Sequence, residues 1–153
     1  MERLEKEPGG ALAAGGGLEN RAGAPVVFVL DDDLPTLELL CEVARESGWH
    51  SVGFTRVARL RAALHARRPT SLIIDDELPD GRGGDLVRDL MSDPRMEDIP
   101  LLVCTAAPLK RQAEIETWAP VVAKPFEVDE IEAFLAAAAP QNGNGHAYRG
   151  SAG

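Results

Sequence analysis

Basic residues, aromatics and long apolar runs are all scarce in this 153-residue chain. Sixteen Lys and Arg stand against 25 Asp and Glu, a formal net charge of -9. Phosphate backbones are bound by Lys and Arg, so this balance argues against nucleic acid as a direct partner. Phe, Trp and Tyr make up only 5% of the residues while hydrophobic types reach 44%, the mark of an aliphatic core. No apolar stretch reaches the ~20 residues a bilayer requires. Met1 to Glu7 mixes charges, with no apolar core of the signal-peptide kind. The two cysteines, Cys41 and Cys104, follow no metal-ligand spacing. The expectation is a cytoplasmic protein that engages neither membrane nor nucleic acid.

What is present is an ordered centre between two tails rich in Gly and small residues. Residues 1–24 hold Pro8-Gly9-Gly10 and Gly15-Gly16-Gly17, and residues 140–153 begin Pro140-Gln141-Asn142-Gly143; both compositions favour flexible segments. Residues 25–139 are enough for one domain with a single core. They leave no room for a DNA-binding module, so any output is expected to lie in another protein.

Strand and helix signals alternate through that centre. Val26–Leu30, Ser71–Ile74, Leu101–Cys104 and Val121–Ala123 are continuous apolar runs, as strands buried on both faces should be, and Trp49–Phe54 is a weaker fifth. Between them lie helical patterns from Leu34 to Ala44, closed by Gly48, and at Val57–Ala66, Gly83–Met91, Leu109–Thr117 and Val128–Ala138. Five βα units predict a parallel sheet covered on both sides.

The chemistry sits where these strands end. Asp31-Asp32-Asp33 follows the first strand, Asp75 the third, Thr105-Ala106 the fourth and Lys124-Pro125-Phe126 the fifth. Alone, each has an ordinary explanation; Asp33, for example, suits a helix N-cap before Leu34-Pro35. Their shared position matters more, because the carboxyl ends of parallel strands share one edge, where ligands bind. Asp31 and Asp32 side by side call for a cation, and Mg²⁺ takes oxygen ligands of this kind. Asp75 could add a third carboxylate and act as a nucleophile that forms an acyl phosphate. Thr105 could hydrogen-bond phosphoryl oxygens and Lys124 could neutralise them.

With these residues in place, the chain resembles the receiver domain of two-component response regulators. The likeness rests on Val27-Phe28-Val29-Leu30-Asp31-Asp32-Asp33, on Asp75 with Pro79 and Gly83, on Pro100 to Ala106, and on Lys124-Pro125-Phe126. It implies an α/β, flavodoxin-like (βα)5 three-layer sandwich with a parallel sheet of order 2-1-3-4-5. It implies a Mg²⁺ (or Mn²⁺) site formed by Asp31, Asp32, Asp75 and the main-chain carbonyl of Asp76. Asp75 would accept a phosphoryl group from a histidine kinase or histidine phosphotransfer protein, with Thr105 and Lys124 serving the modified state. Beyond that self-modification no enzyme activity is expected. The product would signal to an unknown downstream protein, as a monomer or weak dimer. The Lys124–Pro125 bond would be cis.

Three departures from the family pattern stand out. The stretch from Thr105 to Lys124 is short by roughly three residues, about one helical turn. Val121 replaces an aromatic, and Asp76 and Glu77 add charge beside the phosphoacceptor. The first two keep open a second reading, a degenerate receiver that binds a partner constitutively.

Overall fold

The computed structural model describes residues 12–13 and 23–140. In chain order the elements are β1 (Leu12–Ala13), β2 (Val26–Leu30), α1 (Leu34–Glu46), β3 (His50–Phe54), α2 (Val57–Ala66) and β4 (Ser71–Ile74). Then follow β5 (Glu77–Leu78), β6 (Gly81–Arg82), α3 (Gly83–Met91), β7 (Leu101–Thr105), α4 (Leu109–Glu116), β8 (Val121–Ala123) and α5 (Val128–Ala138).

β3, β2, β4, β7 and β8 pair in that order, all parallel. Counting those five alone, the order is the expected 2-1-3-4-5. β1 extends this sheet past β3 by antiparallel pairing, with Leu12 opposite Gly53 and Ala13 opposite Val52. That strand lies inside the segment expected to be a tail. The rest of residues 1–22, and 141–153, lie outside the described residues. A second small addition is the hairpin of β5 and β6, joined by the Pro79-Asp80 turn, with Gly81 at φ 154° opening β6.

Side chains alternate across each strand and so feed two cores. Phe28, Leu30, Leu72, Ile74 and Val103 meet Leu60 of α2, Leu86 of α3 and Ile115 of α4 on one face. Val27, Val29, Ile73 and Leu102 meet Leu37 and Leu40 of α1 and Ile131 and Leu135 of α5 on the other. All five residues of β2 are buried, which is why its sequence shows no polar alternation.

Local signals fix the helix ends that matter for the site. Asp33 caps α1, its carboxylate accepting from Thr36 N at 3.1 Å, with a proline in the first turn. Gly48 ends α1 with φ 93°, the left-handed turn predicted for it. α5 opens with a reciprocal capping box between Glu127 and Glu130. α4 is weakly anchored by comparison: eight residues, no side-chain cap, and Ile115 its only buried residue.

Candidate functional site

β2 lies between β3 and β4, so the chain's path reverses beside it, and a crevice opens past the strands' carboxyl ends. A cleft of about 530 Å³ occupies this place, lined by Asp31, Asp32, Asp33, Asp75, Glu77, Leu78, Pro79, Ala106 and Lys124. Four of the six expected residues meet in it.

Asp31 and Asp75 are buried at the ends of β2 and β4, while Asp32 is exposed on the rim. Ligand oxygens of Asp31, Asp32 and Asp75 lie within 4.8 Å of one another. Lys124 enters from the loop after β8, immediately before a cis bond to Pro125. Its ammonium donates to Asp31 Oδ2 at 2.7 Å and stands 3.6 Å from Asp75 Oδ1.

The electrostatics follow from that crowding. Burial, and then the charge of Asp31, push the Asp75 carboxyl up to about 7, against the pull of Lys124. Burial also raises Asp31, although its bond to Lys124 opposes the shift. Burial works against the charged form of Lys124, but the hydrogen bond and charge of Asp31 outweigh it and raise the ammonium. One cation thus serves two buried carboxylates, and a third stands beside them. Three hard oxygen donors with spare negative charge suit a divalent ion such as Mg²⁺.

Thr105 is fully buried at the end of β7, its hydroxyl accepting from Ala107 N at 3.0 Å. It does not line the cleft; Ala106, one residue on, does. The hydroxyl keeps its own proton to donate.

Asp76 follows Asp75 directly in the chain. Its main-chain oxygen, expected among the metal ligands, accepts from Gly83 N at 2.8 Å. Asp76 is fully buried and does not line the cleft; Glu77, next in sequence, does. The Asp76 carboxylate accepts from Gly84 N at 2.9 Å and from Arg111 Nε and Nη2, both at 2.9 Å. Burial penalises this anion, yet the Arg111 fork and Gly84 N hold it below the usual carboxylate range. Of the two acids after Asp75, only Glu77 therefore adds negative charge to the cleft.

Sequence reasoning overlooked two residues here. Arg111 lies 35 positions from its partner, and the only local hint is its i,i+4 spacing to the buried Ile115. Gly83 was noticed only as part of a pattern. In space, a Cβ at Gly83 would come 1.8 Å from the Asp75 carbonyl oxygen. His50 and His65 take no part in the cleft. Cys41 and Cys104 are buried, and burial pushes their thiols up to about 11 and about 12, as for inert hydrophobes.

Known proteins share this fold and part of this sequence. No family model matches the chain. The phosphate regulon transcriptional regulatory protein PhoB of Pseudomonas aeruginosa is 26% identical over 122 residues, covering 78% of this chain and 53% of that protein. The chain thus spans about half the length of the curated relatives it matches. A provisionally assigned response regulator from Chloroflexus aurantiacus superposes with a TM-score of 0.66 at 26% identity, covering 74% of this chain and 98% of that one. The receiver domain of the sensor histidine kinase PA1611 from Pseudomonas aeruginosa, with a magnesium ion in its active-site cleft, gives 0.66 at 17% identity, covering 73% and 94%.

Proposed function

Since the described domain has the fold of a response-regulator receiver, and its curated relatives are response regulators, we propose that it is a signalling switch phosphorylated on Asp75. The phosphoryl group comes from a histidine kinase or histidine phosphotransfer protein. A divalent cation, Mg²⁺, is held by the carboxylates of Asp31, Asp32 and Asp75, where it offsets the charge of an incoming phosphoryl group. The observation that carries this reading is the meeting of those three carboxylates with Lys124 in one cleft.

The chain's own residues divide the work. An Asp75 oxygen attacks phosphorus while the bond from phosphorus to the donor's imidazole nitrogen breaks. The donor ring, protonated on its other nitrogen, keeps the bonding pair and leaves as neutral imidazole, and Asp75 becomes an acyl phosphate. Attack requires the carboxylate form, which the cation and Lys124 both favour over the proton that burial encourages. Lys124 Nζ stands 3.6 Å from Asp75 Oδ1 and can follow the new charge, giving up Asp31 for a phosphoryl oxygen. Thr105 donates its hydroxyl proton to another. These rearrangements shift the population between two conformations with different affinity for a partner protein.

Incubation with a phosphorylated histidine kinase and Mg²⁺, followed by intact-mass analysis, tests the reading. One phosphoryl group is expected on the wild type and none on Asp75→Ala. Unchanged labelling of Asp75→Ala would move the site elsewhere. Absence of labelling by several kinases and by a small acyl phosphate would favour a constitutive adaptor.

A further inference from the structure

Behind the cleft, a second polar cluster joins the phosphoacceptor loop to α4. Asp76 follows Asp75 directly, yet its carboxylate faces away from the cleft and is fully buried. Arg111 of α4 grips it with two parallel bonds of 2.9 Å, and Arg82 adds a weaker contact at 3.5 Å. The same guanidinium reaches Glu114 at 2.9 Å and Asp85 at 3.2 Å. A bidentate Arg–carboxylate pair fixes both partners in orientation as well as distance.

The packing around this pair leaves no slack. A Cβ at Gly84 would lie 3.0 Å from each of Arg111 Nη2, Asp76 Oδ1 and Ile115 Cγ1. Gly84 O also accepts from Trp118 Nε1 at 2.8 Å, and Arg88 stands 5.3 Å from the centre of that indole ring. The start of α3 is therefore tied through Asp76 to Arg111 in the first turn of α4, and through Gly84 O to Trp118 just past its end. α4 has little else: Ile115 is its one buried side chain, and Leu109 at its start is 80% exposed.

We propose that Arg111 is a positioning residue: by gripping the Asp76 carboxylate it holds the peptide that carries Asp75, and makes α4 the element that moves with that peptide. Because Asp76 adjoins Asp75 and is bonded to α4 directly, the pair gives a movement of the Asp75 loop a route to that helix. The signalling half of this inference rests on phosphorylation of Asp75; the grip itself does not.

Amide hydrogen exchange on the full chain, without added metal, tests the grip. In Arg111→Gln, exchange is expected to speed up by about tenfold or more in two separate segments, 112–118 and 76–84, with β2 and β7 unchanged. Arg111→Lys supplies a point charge without the fork and should show the same pattern at smaller size. Adding Asp76→Asn to Arg111→Gln removes the stranded anion without restoring the fork, so both segments should stay fast; a return of 76–84 to the wild-type rate would trace its acceleration to the stranded charge and overturn the grip. Acceleration confined to 112–118 would overturn the proposal. Should Arg111→Gln fail to fold, Arg111→Lys decides in the same way.

Mg²⁺ with beryllofluoride, a mimic of an acyl phosphate, then tests the route by amide NMR. Cleft amides should respond alike in wild type and Arg111→Gln, while the response at 109–118 falls by about fivefold in the variant. Equal responses at 109–118 would overturn the route. No cleft response in the wild type would instead sink the phosphoacceptor reading, and the exchange result would still decide the grip.

Discussion

Lys124 donates to Asp31 at 2.7 Å, spending the cleft's cation on a carboxylate that is also a candidate metal ligand. The ammonium and a divalent ion therefore compete for one oxygen-rich corner. Lys124→Ala should bind Mg²⁺ more tightly, by about three- to tenfold, in keeping with the ~1 kcal/mol typical of a partly exposed ion pair. Calorimetric titration at pH 8 measures this directly. Weaker or unchanged binding would mean that the pair does not compete with the metal.

The sequence made the five parallel strands and the cleft legible for one physical reason. A strand buried on both faces needs apolar residues throughout, and Val26–Leu30 and Leu101–Thr105 are both buried end to end. Residues just past such strands must then lie at one edge, which located Asp31 and Asp75; Lys124 follows the edge strand β8, whose valines are only half-buried and whose Ala123 is exposed, so there the apolar run marked a strand but not a buried one. The same logic misjudged Asp76. The chain bends at Asp76, just past β4, and there the side chain turns from the cleft and takes a partner on α4. That partner, Arg111, lies too far along the chain for any local pattern to name. β1, β5 and β6 went unseen because two-residue strands carry no periodicity.

Gly83 is expected to tolerate no side chain. In Gly83→Ala the methyl carbon would sit 1.8 Å from Asp75 O and 2.6 Å from Ile74 Cγ2, so the backbone beneath the phosphoacceptor must shift. The expected loss of stability is about 3 kcal/mol or more, in the range of overpacked cores. Gly48→Ala is the control, since its Cβ meets nothing within 4 Å and only its φ of +93° is strained; it should cost about 1 kcal/mol. Urea denaturation of both variants checks the ranking. Equal losses would mean that the loop under Asp75 is pliable.

Stability without metal should fall as pH rises through neutrality, the reverse of the usual carboxylate behaviour. The Asp75 carboxyl is pushed up from an ordinary 3.8 to about 7, so between those values the folded state holds a proton that the unfolded chain has lost. Its contribution is complete below the ordinary value and lost as pH rises through the folded one. The slope for this single proton is at most about 1.4 kcal/mol per pH unit. Asp31 is raised as well and acts in the same direction. Asp76, held low by Arg111, acts the opposite way but only in more acidic solution, where its own stabilisation is lost. Urea midpoints in a chelator should therefore drop from pH 5 to pH 8. Asp75→Asn, which has no proton to lose, should flatten most of that drop, and Mg²⁺ should restore the wild type at pH 8 by binding the folded form alone. A wild-type midpoint that rises over this range would show that Asp75 is already ionised at pH 5, with Lys124 dominating over burial.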